Sequence, residues 1–216
     1  MQIALYKKIL SYLIPIKLAK YQSERNRKLE LFLYHNRFML TTPEAIYSNG
    51  ISYSPFKITF EKLKNELPNI KTFLLLGGGL SSALQILQAR YNVYQSSTIV
   101  EIDEEIASIH FKLPLYNSTC VELIIDDASN YVRNCDKRFD LIALDVFQDL
   151  HVPILMTQPA FFVACKKILT QHGILIINYV EHSKNKFEEI KNEVEKLFKH
   201  VETIHHKQNK FFICKN

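Results

Sequence analysis

The sequence predicts an α/β protein: a mostly parallel seven-stranded sheet with helices on both faces, preceded by a small N-terminal helix and β-strand region. Three observations predict it. From residue 69 onward, short apolar runs alternate with segments whose apolar residues recur at helical spacing. Three of the chain's five glycines stand together at Gly77-Gly78-Gly79, between one such run and one such helix. Carboxylates close several of the runs, at Glu101, Asp126-Asp127 and Asp145. Strands that are almost wholly apolar are buried on both faces, which marks a parallel sheet between helical layers.

The elements follow in order. Residues 3–16 carry Ile3, Tyr6, Leu10 and Leu13 at helical spacing, broken by Lys7, Lys8 and Pro15. This short helix is expected to pack on the body or on a second subunit, with membrane-surface attachment as the minor alternative. It has no small-residue cleavage site and is too short to span a bilayer. Strands are expected over residues 16–21, 29–34 and 37–41. Leu29, Leu31 and Leu33 alternate with Glu30, Phe32 and Tyr34, so one face is well buried. His35-Asn36 suits a tight hairpin turn, since Asn tolerates positive φ. Residues 43–50 read as a loop, Ser54-Pro55 opens a helix to Leu63, and Pro68 closes an N-terminal region of residues 1–68.

The second region, residues 69–216, predicts strands over 71–76, 97–102, 121–125, 139–144, 174–180, 201–205 and 211–214. Helices are predicted over 80–91, 104–113, 129–134, 159–169 and 184–200. Pro114 stops the second of these, and Gly173 is expected to end the fourth.

Composition narrows the function classes. At 47% hydrophobic and 23% charged, the chain is an ordinary globular one rather than disordered or fibrous. The net charge of +5 comes from 27 Lys and Arg with no block of like charge, so a nucleic-acid partner is not indicated. Cys120, Cys135, Cys165 and Cys214 form no CxxC pair, which points to reduced thiols in a cytoplasmic protein and to no metal. The eight histidines have no ligand spacing and read as surface or turn residues.

A glycine turn between strand and helix lets a ligand touch the main chain beside the helix N-terminus. Glu101 lies 22 residues beyond Gly79 at a strand end, where a carboxylate accepts both hydroxyls of a ribose. Asp103 reads as a helix N-cap. Of Asp126 and Asp127, one can cap the next helix and the other accept the amino group of an adenine; Asp127 is taken as the ligand. Asp145 ends the fourth strand and points at the reacting centre, as general base or amine anchor. Together these predict a Rossmann-like methyltransferase fold binding an adenosyl sulfonium such as S-adenosylmethionine.

Leu74-Leu75-Leu76-Gly77-Gly78-Gly79, Val100-Glu101-Ile102-Asp103-Glu104-Glu105 and Phe139-Asp140-Leu141-Ile142-Ala143-Leu144-Asp145 resemble the spermidine synthase family of that fold. So does Leu40-Thr41-Thr42-Pro43-Glu44-Ala45-Ile46-Tyr47 after the N-terminal strands. The resemblance implies aminopropyl transfer from decarboxylated S-adenosylmethionine to a diamine. Gly77, Gly78, Gly79, Glu101, Asp127 and Ala128 would hold the cofactor, Asp145 would take the amine proton, and Tyr47, Leu80, Phe147 and Asp149 would meet the substrate. The chain departs from the family in places. The family's GGGDGG is Gly77-Gly78-Gly79-Leu80-Ser81-Ser82, its DSSDP-like segment is Asp145-Val146-Phe147-Gln148-Asp149, and Ser48 replaces the His or Gln after the family's Tyr. Fewer acids for a diamine tilt the expectation slightly toward methyl transfer on an unknown small-molecule acceptor. The alternatives are aminopropyl transfer proper and a non-catalytic adenosyl-binding homologue. A homodimer without stable membrane insertion is expected.

Overall fold

A computed structural model describes residues 2–43, 45–93, 96–117, 119–147, 152–180, 184–206 and 209–216. Two sheets make up the fold. Helix α1 (Leu5–Leu10) leads into a four-stranded antiparallel sheet of β1 (Ile16–Tyr21), β2 (Leu29–Tyr34), β3 (Arg37–Thr41) and β4 (Ile46–Ser48), in that order. His35 and Asn36, at φ 50° and 56°, turn the β2–β3 hairpin with Tyr34 opposite Arg37. Strand β4 lies within the stretch that reads as loop, because its three residues have no period to display and are recruited by pairing with β3.

Helix α2 (Ser54–Lys62) crosses to the large sheet. Its N-cap is Tyr53, and no side chain caps it; Pro55 sits in the first turn, where no amide donor is needed. Then follow β5 (Thr72–Leu76), α3 (Ser82–Tyr91), β6 (Ser96–Glu101), α4 (Glu104–Lys112), β7 (Val121–Ile125), α5 (Ala128–Asn134), β8 (Phe139–Leu144), α6 (Pro159–Lys167), β9 (Leu169–Val180), α7 (Lys184–Leu197), β10 (His200–His206) and β11 (Asn209–Lys215). The seven strands run β10-β11-β9-β8-β5-β6-β7, with β11 antiparallel to both neighbours and β5 to β9 mutually parallel. Leu74, Leu75, Ile142, Ala143, Leu175 and Ile176 are almost wholly buried, as strands covered on both faces require.

Strand order reverses between β5 and β8, and open α/β sheets hold ligands beyond the strand ends at such a point. The small sheet roofs it. Leu29, Leu31 and Leu40 pack with Ile106 and Ile109 of α4 and with Leu80 into an apolar cluster under the small sheet.

Two expectations need correction. Gly173 does not end α6; it lies inside β9, where the pairing with β8 shifts between Phe139 and Leu141. A Cβ at Gly173 would meet the Phe139 carbonyl oxygen at 3.0 Å, so close backbone approach at a bulge is what requires glycine. Helix α1 does not pack its apolar stripe on the body, since none of its residues is buried.

Ser81 stands before α3 at φ 57° with its hydroxyl buried and unpartnered. A non-glycine residue there carries strain, and the lone hydroxyl adds a desolvation cost. Ser81→Gly is expected to stabilise the fold by about 1 kcal/mol after the entropy glycine loses, read as a higher urea midpoint with an unchanged m-value.

Candidate active site

A cavity of about 690 Å³ opens over the carboxyl ends of β7, β6, β5 and β8, roofed by β4 and the turn between β1 and β2. That volume suits a nucleoside-sized ligand together with a small second molecule. Strand order sets the residues along it: Asp126 and Asp127 after β7, Glu101 at β6, the glycine turn after β5, Asp145 after β8 and Val180 at β9.

The glycine turn and Glu101 interlock. Gly77 is at φ 87°, and a Cβ there would meet the Asp145 carbonyl oxygen at 2.4 Å. The ends of β5 and β8 therefore touch, which the Asp145 N–H donating to the Leu76 oxygen at 2.8 Å reinforces. A Cβ on Gly78 would run into Ile99 and Glu101. Glu101 is nearly buried; its Oε2 accepts the Gly79 N–H at 2.9 Å and its Oε1 the Asp103 N–H at 2.9 Å. Burial raises the Glu101 pKa, and these two amides oppose the rise. Each oxygen keeps a lone pair for a ligand in the cavity.

The surrounding contacts extend the lock. Asp103 caps α4 by accepting the N–H groups of Glu105 and Ile106. Its other oxygen accepts from the Ser23 hydroxyl and, at 2.7 Å, from the Asn26 amide, which ties the β1–β2 turn to the site. His110 corrects the reading of the histidines as surface residues: it is buried on α4, with Nε2 2.6 Å from the Gly79 oxygen and Nδ1 3.0 Å from the Tyr116 hydroxyl. Burial lowers its pKa, and a neutral ring donating from Nε2 and accepting at Nδ1 satisfies both contacts. Nothing in the spacing of His110 marks it in the sequence.

Asp127 caps α5, its Oδ1 accepting the N–H groups of Ser129 and Asn130. Asp126 accepts from the Asn130 amide at 2.9 Å. Both aspartates and Ala128 line the cavity.

At the other end, Asp145 Oδ1 accepts from the Asn178 amide at 2.7 Å and the Tyr53 hydroxyl at 3.4 Å. The Asn209 amide donates to Asn178 Oδ1 at 2.9 Å, which fixes the way round the Asn178 amide stands. Burial pushes Asp145 up to about 7, against the pull of Asn178 and Tyr53. Tyr53 is raised well above the usual phenol, by burial first and by Asp145 second. Tyr53, Asn178 and Asn209 escape the sequence reading, although an asparagine inside the apolar run of β9 is a signal in itself.

Among the substrate-side candidates, Tyr47 and Phe147 line the cavity. Leu80 does not, and its assignment is corrected: it is fully buried in the cluster under the small sheet, where an apolar side chain is more stable than in a polar cavity. Asp149 and Gln148 lie outside the described residues, as does His151. Among the described residues no group of three or more His, Cys, Asp or Glu could hold a metal ion.

The model of the spermine/spermidine synthase domain family matches residues 59–208. A polyamine aminopropyltransferase of Clostridium botulinum (strain Eklund 17B / Type B) is 28% identical over 165 residues, covering 72% of this chain and 55% of that protein. The chain spans about half the length of the curated relatives it matches, 38% to 55% in the alignments. A probable spermidine synthase from Corynebacterium glutamicum superposes with a TM-score of 0.78 at 19% identity, over 91% of this chain and 79% of that one. Human methyltransferase-like protein 13, solved with SAH, superposes at 0.65 and 19% identity, over 74% and 80%. These two share the fold.

A carboxyl raised to about 7 in the folded chain holds a proton that the unfolded chain releases near its ordinary 3.8. Its contribution to stability is present below that lower value and is lost as pH climbs toward 7. Asp145→Asn is therefore expected to raise the melting temperature at pH 8 and to raise it less at pH 5, measured by calorimetry at both.

Proposed function

We propose a reaction for this chain from the premise that it belongs to the spermine/spermidine synthase family: transfer of an aminopropyl group from decarboxylated S-adenosylmethionine to the amine of a small acceptor. One observation carries the choice. Among the described residues the cavity wall holds six carboxylates, Glu24, Glu101, Asp103, Asp126, Asp127 and Asp145, against one guanidinium, Arg25. A donor with a sulfonium and a primary amine is wholly cationic and suits that wall. S-adenosylmethionine adds a carboxylate that the wall repels. The names of the curated relatives point the same way, toward aminopropyl rather than methyl transfer.

The residues present fit such a donor. Glu101 offers its free lone pairs to the ribose hydroxyls, and Gly78, which has no room for a Cβ beside Ile99 and Glu101, keeps the turn close against that carboxylate. Ala128 and Asp127 stand at the adenine end, where Asp127 has one oxygen not used in capping. When bound, the donor supplies an electrophilic carbon next to sulfur; the acceptor nitrogen bonds to that carbon, the carbon–sulfur bond breaks, and sulfur leaves as a neutral thioether. Asp145 takes the proton that the attacking nitrogen sheds, and a pKa near 7 leaves it able to accept at neutral pH. Asn178, itself held by Asn209, aims the Asp145 carboxylate. Tyr53, Tyr47 and Phe147 exclude water around it. Methyl transfer is the second reading, favoured by the leucine and glutamine that replace two family acids at positions 80 and 148.

With decarboxylated S-adenosylmethionine and putrescine, mass spectrometry is expected to find methylthioadenosine and an aminopropylated amine. S-adenosylhomocysteine formed from S-adenosylmethionine instead would overturn the assignment. Asn178→Ala removes a donor that lowers the Asp145 pKa, so the acid limb of the rate profile is expected to move to higher pH, with kcat falling by about 10-fold or more. An unmoved limb would detach Asp145 from the proton transfer.

A further inference from the structure

The third glycine of the turn is held from both sides. Gly79 stands at φ 50° and lines the cavity. Its N–H donates to Glu101 Oε2 at 2.9 Å, and its carbonyl oxygen lies 2.6 Å from His110 Nε2. These groups belong to the two peptide planes that meet at the Gly79 Cα, so the pair of bonds fixes both of its backbone dihedrals. Glycine has more backbone freedom to lose than any other residue, so this restraint matters most where it is applied. The next carbonyl is held as well, by the Gln85 amide donating to the Leu80 oxygen at 2.6 Å, and Ser81 is left-handed at φ 57°.

His110 is itself braced. A carbonyl oxygen only accepts, so Nε2 carries the ring proton, and Nδ1 accepts the Tyr116 hydroxyl at 3.0 Å. Tyr116 is followed by Asn117, whose N–H donates to Gln88 Oε1 at 2.9 Å and whose oxygen accepts the Gln88 amide at 3.2 Å. Gln88 lies on α3, the helix that the glycine turn opens. The ring therefore stands between α4, the segment after it and α3. Burying an imidazole is costly unless its nitrogens are paired, and both are. A histidine serving the core alone could aim its proton at any nearby carbonyl; this one ends on the residue whose N–H holds Glu101.

The geometry points to His110 as a positioning residue for the adenosyl donor: its Nε2 proton keeps Gly79, and with it the ribose-facing carboxylate of Glu101, in the binding shape before the ligand arrives. This rests on the adenosyl reading of the site given above. His110 does not line the cavity, so its effect passes through Gly79 alone. Without that donor the peptide plane after Gly79 is free to turn, and ligand binding then has to order it. Asp145 stands at the other end of the cavity and is untouched by the change.

Calorimetric titration with methylthioadenosine, together with donor kinetics, tests this on the intact chain, His110→Phe, His110→Gln and Tyr116→Phe. Phenylalanine keeps the ring and removes the donor; glutamine places an amide nitrogen about as far along the side chain as Nε2. His110→Phe is expected to weaken methylthioadenosine by about 5- to 30-fold, the worth of ordering one backbone residue. His110→Gln is expected to recover most of that loss, and Tyr116→Phe to show a smaller loss in the same direction. In the reaction, the His110→Phe effect is expected in the donor KM, with kcat changed by less than about twofold. Unchanged circular dichroism below the melting transition would confirm that each variant is folded. Equal affinity of His110→Phe and the intact chain would overturn the inference, as would a loss that His110→Gln shares in full, or a fall in kcat with KM unmoved. Failure of the intact chain to bind methylthioadenosine would overturn the adenosyl reading itself, and this inference with it.

Discussion

A single buried carboxylate ties the parts of this protein together. Glu101 sits at the end of β6 and holds the Gly79 and Asp103 amides with its two oxygens. Through Gly79 it fixes the glycine turn, whose far carbonyl is held by His110 of α4. Through Asp103 it reaches the cap of α4 and the Ser23 and Asn26 side chains of the small sheet. The large sheet, the first turn of α4 and the roof of the cavity therefore meet around one side chain. Burying a carboxylate is costly unless donors meet it, and two main-chain amides do so here. The same geometry leaves lone pairs facing the cavity, so the element that organises the fold is also the one that would grip a ribose.

The two ends of the cavity hold their carboxylates in different environments. Glu101 is stabilised by main-chain donors that cannot rotate away. Asp145 has side-chain donors only, from Asn178 and Tyr53, and burial carries it to about 7. A group that binds and a group that exchanges a proton need this kind of contrast in environment. Gly77 makes the contrast possible, because only a residue without a Cβ lets the β5 end lie against the Asp145 carbonyl. The cavity as a whole keeps a strong excess of acid among its described residues, although the chain carries a net charge of +5. Partner choice at the site thus follows the local field and not the global charge.

Much of this architecture is legible in the sequence because the signals are local. The glycine turn, the apolar strands, the Asp103 cap and the carboxylates at strand ends are each set by a few neighbouring residues, and the structure places them as read. What is not legible comes from distant segments meeting. Asn178 and Asn209 lie on β9 and β11, and Tyr53 before α2; only the pairing of β9 with β11 and the crossing of α2 bring them to Asp145. Leu80 follows the glycines directly, yet the left-handed turn at Ser81 and the pull of the apolar cluster under the small sheet send it into the core. Gly173 looks like a helix stop because a bulge and a cap use the same residue. The stripe of α1 is real, but periodicity carries no information on whether a partner exists for it.

The proposed adenosyl site, acid-lined and organised by Glu101, is tested most directly by calorimetric titration of the purified chain. Decarboxylated S-adenosylmethionine is expected to bind at least about 10-fold more tightly than S-adenosylmethionine, and Glu101→Gln to weaken it by about 10-fold or more, the loss of one or two charge-assisted hydrogen bonds. Equal binding of both donors, or binding indifferent to Glu101→Gln, would contradict it.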